Sequence, residues 1–277
     1  MNALREKVLA EYQNYLAAVK GPSDVRQFFV THSFEGLPSW KKAAELGISE
    51  GQLLYGMCCY HGDGVSKDAT EAVKWFRKAA EQGNAPAQMV LGFCYANEVG
   101  VSTDATEAVK WFRQAAEQGD AEAQASLGSC YNTGFGVSKD EAEAVKWFRK
   151  AAEQGDAGSQ HNLGFCYDEG IGVSKDEVEA VKWYRKAAEQ GNALAQTNLG
   201  SCYAKGTGVF QDAAEAVKWY RKAAEQGYAL ALGHLGWCYA TGIGVSQDVV
   251  EAIKWFRKAA EGGDANAKEV LKRLEVE

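Results

Sequence analysis

The sequence predicts an all-α solenoid of stacked helix pairs, and three observations carry that prediction. A tryptophan-aromatic pair recurs at Trp75-Phe76, Trp111-Phe112, Trp147-Phe148, Trp183-Tyr184, Trp219-Tyr220 and Trp255-Phe256, with a constant step of 36 residues and no insertion. A fixed period of this size marks a chain built from repeated supersecondary units that bury their apolar faces on one another. Three prolines stand against 30 glycines; proline breaks helices and glycine closes them, so the ratio favours many helices joined by short turns. A helix-start signature, Asp-x-x-Glu, returns once per period.

In chain order, residues 1–34 fall outside the repeat. Leu4, Val8, Leu9, Tyr12, Tyr15, Leu16 and Val19 form a helical apolar stripe stopped by Gly21-Pro22, and Val25 to Val30 reads as a second helix. An end repeat exposes apolar surface that it cannot bury alone, so this segment is expected to be a helical cap, with a partner-binding or dimerising arm as the alternative. Residues 35–48 form a degenerate half repeat, where Ser39-Trp40-Lys41-Lys42-Ala43-Ala44-Glu45 aligns with Trp75-Phe76-Arg77-Lys78-Ala79-Ala80-Glu81. Six full repeats follow over 49–264, with boundaries at 84, 120, 156, 192 and 228. Residues 265–277 read as a closing helix, in which Lys268, Glu269, Lys272, Arg273 and Glu275 interleave with Val270, Leu271 and Leu274.

Each repeat holds two helices. The first is opened by a side-chain cap at Asn84, Asp120, Asp156, Asn192 and Asp264. Tyr228 breaks that rule and leaves room for a different boundary there. Ala87, Leu91, Cys94 and Tyr95 recur at helical spacing as one buried stripe. The second helix starts at a capping box, Asp68/Glu71 and its equivalents through Asp248/Glu251, in which the acid caps an amide and the glutamate is expected to reach back. It ends at Gly83, Gly119, Gly155, Gly191, Gly227 and Gly263, where a left-handed residue is needed. Gly92, Gly128, Gly164, Gly200 and Gly236 lie inside the first helix, where glycine costs about 1 kcal/mol relative to alanine. Close approach of the paired helix at its Ala-Ala face is the expected compensation.

The string Ala-x-x-Leu-Gly-x-Cys-Tyr-x-x-Gly-x-Gly-Val-x-x-Asp-x-x-Glu-Ala-Val-Lys-Trp-aromatic-x-x-Ala-Ala-x-x-Gly resembles the Sel1-like repeat, a relative of the tetratricopeptide repeat. The resemblance covers residues 49–264 and part of the flanks. It implies a right-handed superhelix whose first helices line a concave groove, and a role as an adaptor that assembles other proteins. The secreted, disulfide-rich branch of that family carries two cysteines per repeat, whereas this chain has one. That departure speaks against an extracellular location and against β-lactam binding.

Composition and charge narrow the function further. A net charge of −7 disfavours phosphate-backbone binding as a main task. No stretch reaches the ~18 apolar residues of a membrane span, and the N-terminus lacks the apolar core of a secretory signal. Six of the seven cysteines, Cys58, Cys94, Cys130, Cys166, Cys202 and Cys238, fall one per repeat, with Cys59 as the extra. Equivalent positions in stacked repeats lie too far apart for a disulfide, so reduced thiols and a cytoplasmic location are expected.

The four histidines, His32, His61, His161 and His234, do not recur together, so no metal site is expected. Gly-x-Gly-Val follows a helix and lacks the Gly-Lys-Ser/Thr of a phosphate loop. Ser39-Trp40-Lys41-Lys42 matches the Ser-x-x-Lys of penicillin-binding enzymes without its companion motifs, so a hydrolase is only a rival reading. Lys74 and Arg77 recur as basic ladders and are expected to pair with Glu71 and Glu81 rather than with nucleic acid. No catalytic residue and no cofactor is expected.

Positions that differ among otherwise matching repeats are those the fold does not dictate. By tetratricopeptide geometry the groove-facing positions include Met89, Phe93 and Asn97; Ser129 and Thr133; His161, Asn162, Phe165, Asp168 and Glu169; Asn198, Ser201 and Lys205; and His234, Trp237 and Thr241. Phe93, Phe165 and Trp237 alternate with Ser129 and Ser201, as spaced anchors for an extended or helical segment would. The expected function is a non-catalytic protein- or peptide-binding scaffold, monomeric, without nucleic acid and without membrane insertion. The alternative is a self-assembling array.

Overall fold

The computed structural model describes residues 2–18 and 22–274. Val19, Gly21 and Glu275 lie outside the described residues. Among the described residues there are fifteen helices and no strand, in two compact units divided between Asp140 and Glu141.

The first unit contains α1 (Asn2–Ala18), α2 (Pro22–Glu45), α3 (Ser49–His61), α4 (Ala69–Glu81), α5 (Ala85–Ala96), α6 (Ala105–Glu117) and α7 (Ala121–Thr133), each packed on the next from α1 onward. Helix α1 buries Val8, Tyr12 and Tyr15 and leaves Leu9 and Leu16 exposed, so only part of the apolar stripe faces protein. It lies on α2 and α3, where Trp40 Nε1 donates to Glu11 Oε2 at 2.6 Å. Helix α2 is continuous through Pro38 and runs across the boundary drawn between residues 34 and 35. Phe29, Gly36, Trp40 and Ala43 fall on one face, and only an uninterrupted helix buries all four together.

The second unit contains α8 (Glu141–Glu153), α9 (Ala157–Glu169), α10 (Glu177–Glu189), α11 (Ala193–Lys205), α12 (Ala213–Glu225), α13 (Ala229–Thr241), α14 (Val249–Glu261) and α15 (Ala265–Leu274), again packed in sequence. Its core is made of Leu163, Leu199 and Leu235 from the first helices of the repeats, with Tyr184, Tyr220, Phe256 and the alanine pairs of the second.

The caps form as the sequence predicts, with two corrections. Asn84, Asp120, Asp156 and Asn192 accept from the amides of Ala87, Ala123, Ser159 and Ala195 at 2.6–3.0 Å. Tyr228 has the same extended backbone and no side-chain cap, yet α13 still begins at Ala229, so the boundary does not move; its ring packs against the core instead. At the second helices, Asp68, Asp104, Asp176, Asp212 and Asp248 accept the amide three residues on. The glutamates do not reach back. Glu71, Glu107, Glu179, Glu215 and Glu251 turn to Lys74, Lys110, Lys182, Lys218 and Lys254 at 2.7–3.0 Å, because the cap amides they would reach already donate to the carbonyls of Cys59, Tyr95, Tyr167, Tyr203 and Tyr239.

The helical glycines compensate differently from expectation. A Cβ on Gly92 would lie 2.7 Å from the Phe112 ring, and one on Gly164 or Gly200 would lie 2.7 Å from Tyr184 or Tyr220. The ring of the tryptophan-aromatic pair, not the Ala-Ala face, therefore occupies the space. A second close approach sits in the turns. Gly100 and Gly136 lie against the carbonyls of Ala69 and Ala105, and Gly172, Gly208 and Gly244 against those of Glu141, Glu177 and Ala213, in each case the first residue of the preceding repeat's second helix.

Two inter-repeat hydrogen-bond ladders recur. Gln88, 4% exposed, donates to Ala80 O at 3.0 Å and accepts from Gln118 Nε2 at 2.7 Å; Gln196 does the same with Ala188 O and Gln226. Arg77 and Arg113 donate to Tyr95 and Tyr131 in the first unit, and Arg149, Arg185 and Arg221 to Tyr167, Tyr203 and Tyr239 in the second, at 2.5–2.7 Å. The arginines thus leave Glu81 and its equivalents unpaired with them and join one repeat to the next.

Candidate partner-binding surface

The five first helices α5, α7, α9, α11 and α13 carry the positions singled out from sequence. In the first unit, Phe93 is 43% exposed on α5 and Met89 is half-buried beside it. Asn97 caps α5 and donates to Phe93 O at 3.0 Å. On α7, Ser129 and Thr133 are exposed but turn their hydroxyls to Ala125 O and Ser129 O of their own helix at 3.1 and 2.8 Å. Hydroxyls returned to the backbone in this way are weak recognition groups.

The second unit is richer. Phe165 is 43% and Trp237 56% exposed, on α9 and α13, with half-buried Ser201 on the intervening α11. His161 Nε2 meets Asn198 Nδ2 at 3.2 Å, and His161 Nδ1 meets Asn162 Oδ1 at 3.2 Å. Burial lowers the His161 pKa, which favours a neutral ring that accepts from Asn198 and donates to Asn162. Tyr184 donates to Asp168 Oδ2 at 3.3 Å, and Tyr220 shares a hydrogen bond with Ser201 at 3.2 Å. His234 stacks on the Tyr220 ring at 4.8 Å, and burial followed by the nearby Lys205 charge lowers its pKa. Glu169, Lys205 and Thr241 are exposed at the helix ends, where Thr241 donates to Trp237 O at 2.8 Å.

Tyr184 and Tyr220 were not among the expected surface residues. Their signal was in the sequence: the second aromatic of the pair is phenylalanine at 76, 112, 148 and 256 and tyrosine only at 184 and 220. The added hydroxyl passes beneath the helical glycine and meets the polar groups of the first helices.

Other candidate chemistry is accounted for locally. All seven cysteines are free and buried, and burial pushes the Cys130 and Cys166 thiols up to about 11. Ser39 Oγ accepts from Lys7 Nζ at 3.0 Å. The lysine ladder is balanced by glutamates and the arginines bond to tyrosines, while Lys78, Lys150, Lys186, Lys222 and Lys258 fold over the tryptophan rings at 3.8–4.6 Å. Among the described residues no three His, Cys, Asp or Glu converge as metal ligands, and no helix is long and apolar enough to cross a membrane.

The Sel1 repeat model matches residues 49–84, 85–120, 121–156, 157–192, 193–228 and 229–264. Among solved structures the chain is similar to c5321, a protective antigen of uropathogenic Escherichia coli displaying an SLR fold, at 45% identity and a TM-score of 0.81 over 85% of this chain and 50% of that one. It therefore spans half the length of the antigen. It is also similar to a Sel1 repeat protein from Oxalobacter formigenes, at 34% identity and a TM-score of 0.75 over 91% of this chain and 96% of that one. A comparison with curated proteins finds no match. With the six repeats matched end to end and the helix pairs stacked in order within each unit, the chain belongs to the Sel1 repeat family, whose solenoids are generally non-catalytic scaffolds for protein interactions.

Proposed function

We propose that this chain is a non-catalytic adaptor that holds protein or peptide segments against the first helices of the repeats in each of its units. The observation carrying this reading is the exposure of Phe93, Phe165 and Trp237 at 43, 43 and 56%, where equivalent positions hold Ser129 and Ser201. Hydrated rings cost free energy that the serine-bearing repeats avoid, so a partner that covers them supplies the offset. The buried, unpaired thiols support a cytoplasmic setting, and a monomeric adaptor is the simplest assembly.

The test is a pull-down from the native host with the intact chain and a Phe93→Ala, Phe165→Ala, Trp237→Ala variant, each retained protein then being purified and titrated. The expected outcome is at least one partner whose Kd weakens tenfold or more in the variant, roughly the effect of losing one or two aromatic anchors. Equal affinity for both chains refutes the reading. Light scattering across concentration is expected to give a constant monomer mass; a mass that climbs with concentration favours the self-assembling array.

A further inference from the structure

The last turn of α9 carries two carboxylates, Asp168 and Glu169, where the equivalent pairs are Tyr60-His61, Ala96-Asn97, Asn132-Thr133, Ala204-Lys205 and Ala240-Thr241. The fold does not require them. Their position works against stability, because the unpaired carbonyls at a helix C-terminus present partial negative charge and favour cations there. Neither carboxylate forms an ion pair among the described residues. Lys175, whose charge reaches Asp168, is held by Glu177 at 3.0 Å. Lys205 stands one repeat on at the position of Glu169, exposed, and bonds to neither.

Asp168 is half-buried and has one hydroxyl partner, at long range. The Tyr184 hydroxyl donates to its Oδ2 at 3.3 Å, and Tyr184 itself is fully buried. Phe165 lies one turn earlier on the same face of α9 with its ring 43% exposed. A half-buried carboxylate, a second carboxylate beside it and an open aromatic face are together the complement of a guanidinium or ammonium group, which stacks on the ring while its N–H groups donate to the oxygens.

Resting on the adaptor reading above, we propose that α9 recognises an arginine or lysine side chain of the bound protein segment, with Asp168 and Glu169 as acceptors and Phe165 as the stacking face. Trp237, on α13, takes an apolar residue of the same segment. Lys205 then acts against this ligand, and would act for an acidic one.

The experiment is selection of a phage-displayed random dodecapeptide library on the full chain. The enriched peptides are synthesised and titrated by fluorescence anisotropy against wild type, Asp168→Asn/Glu169→Gln, Lys205→Met and the triple aromatic variant. Asparagine still accepts from Tyr184, and circular dichroism confirms that each variant folds. Enriched peptides are expected to carry arginine or lysine beside apolar residues. The double amide variant should weaken them about tenfold or more and flatten their salt dependence, the scale of a lost charge-assisted hydrogen bond, while Lys205→Met leaves them equal or tighter. Peptides without a basic residue, undiminished binding to the amide variant, or loss of binding on Lys205→Met overturns the proposal; if the triple variant still abolishes binding, the adaptor reading survives. Binding indifferent to the triple variant, or no enrichment, counts against both.

Discussion

Glu98 adopts φ 57°, the left-handed conformation that Gly134, Gly170, Gly206 and Gly242 supply in the other turns. A side chain there costs about 1–2 kcal/mol, part of which is returned by the smaller entropy of the unfolded chain. Glu98→Gly is therefore expected to stabilise the protein by about 0.5–1 kcal/mol, read from the urea midpoint. The opposite substitution gives the opposite sign six residues earlier. Gly92→Ala gains about 1 kcal/mol of helix propensity but drives a methyl to within 2.7 Å of the Phe112 ring and 3.1 Å of Ala108 O, so a net loss of about 1–3 kcal/mol is expected. A neutral or stabilising result would mean the ring moves aside freely. The cost of a helical glycine was legible in the sequence. Its compensation was not, because a one-dimensional pattern shows that two residues recur together and not which atoms touch.

At the level of the helix, the glutamine ladder shows what joins neighbouring repeats. Gln88 satisfies the carbonyl of Ala80 at the end of α4 and is itself held by Gln118 at the end of α6. Losing either partner leaves a buried amide short of a bond, at about 1–3 kcal/mol. Gln88→Leu and Gln118→Ala are each expected to destabilise, and the double variant by less than their sum, with a coupling of about 0.5–2 kcal/mol in a double-mutant cycle. Additive losses would show that the pair contributes nothing. The chain already holds a natural counterpart: the last repeat has Leu232 and Gly262 at the two positions, both changed together. Helix bounds, caps and terminal glycines were readable from spacing because they are local. The turn of Arg77, Arg113, Arg149, Arg185 and Arg221 to a tyrosine 18 residues on, and of the capping-box glutamates to lysine, depended on the partners available in three dimensions, which spacing alone does not rank.

Across the whole molecule, buried thiols link stability to pH. Cys130 and Cys166 sit at about 11 against an ordinary 9.0, so folding favours the neutral thiol. Their contribution is complete below about pH 9 and is lost as the pH rises through about 11. Tyr184 and Tyr220, also raised by burial, extend the decline. Urea midpoints are expected to hold steady to pH 9 and then fall, with Cys130→Ala/Cys166→Ala falling less steeply; parallel curves would assign the loss elsewhere. The repeat architecture and its family were legible because the same solution to burial is written six times. The candidate surface was only half legible: differences among repeats pointed to Phe93, Phe165 and Trp237, but the Tyr184 and Tyr220 hydroxyls that meet Asp168 and Ser201 come from the helix behind. Phe210 escaped notice in the same way, replacing the serine of the other turns and standing 95% exposed.

The turn glycines set against a neighbour's first carbonyl carry a consequence for how such a chain can change in size. Each joint sets a glycine against a backbone carbonyl, whatever side chain the carbonyl's own residue carries, and is alike wherever it recurs. A copy of residues 193–228 inserted in tandem would meet the joint it already knows on both sides, whereas a gain of a few residues would meet none. Length in this lineage is thus quantised, and the reach of the protein grows or shrinks by whole modules while the chemistry displayed on each remains free to drift.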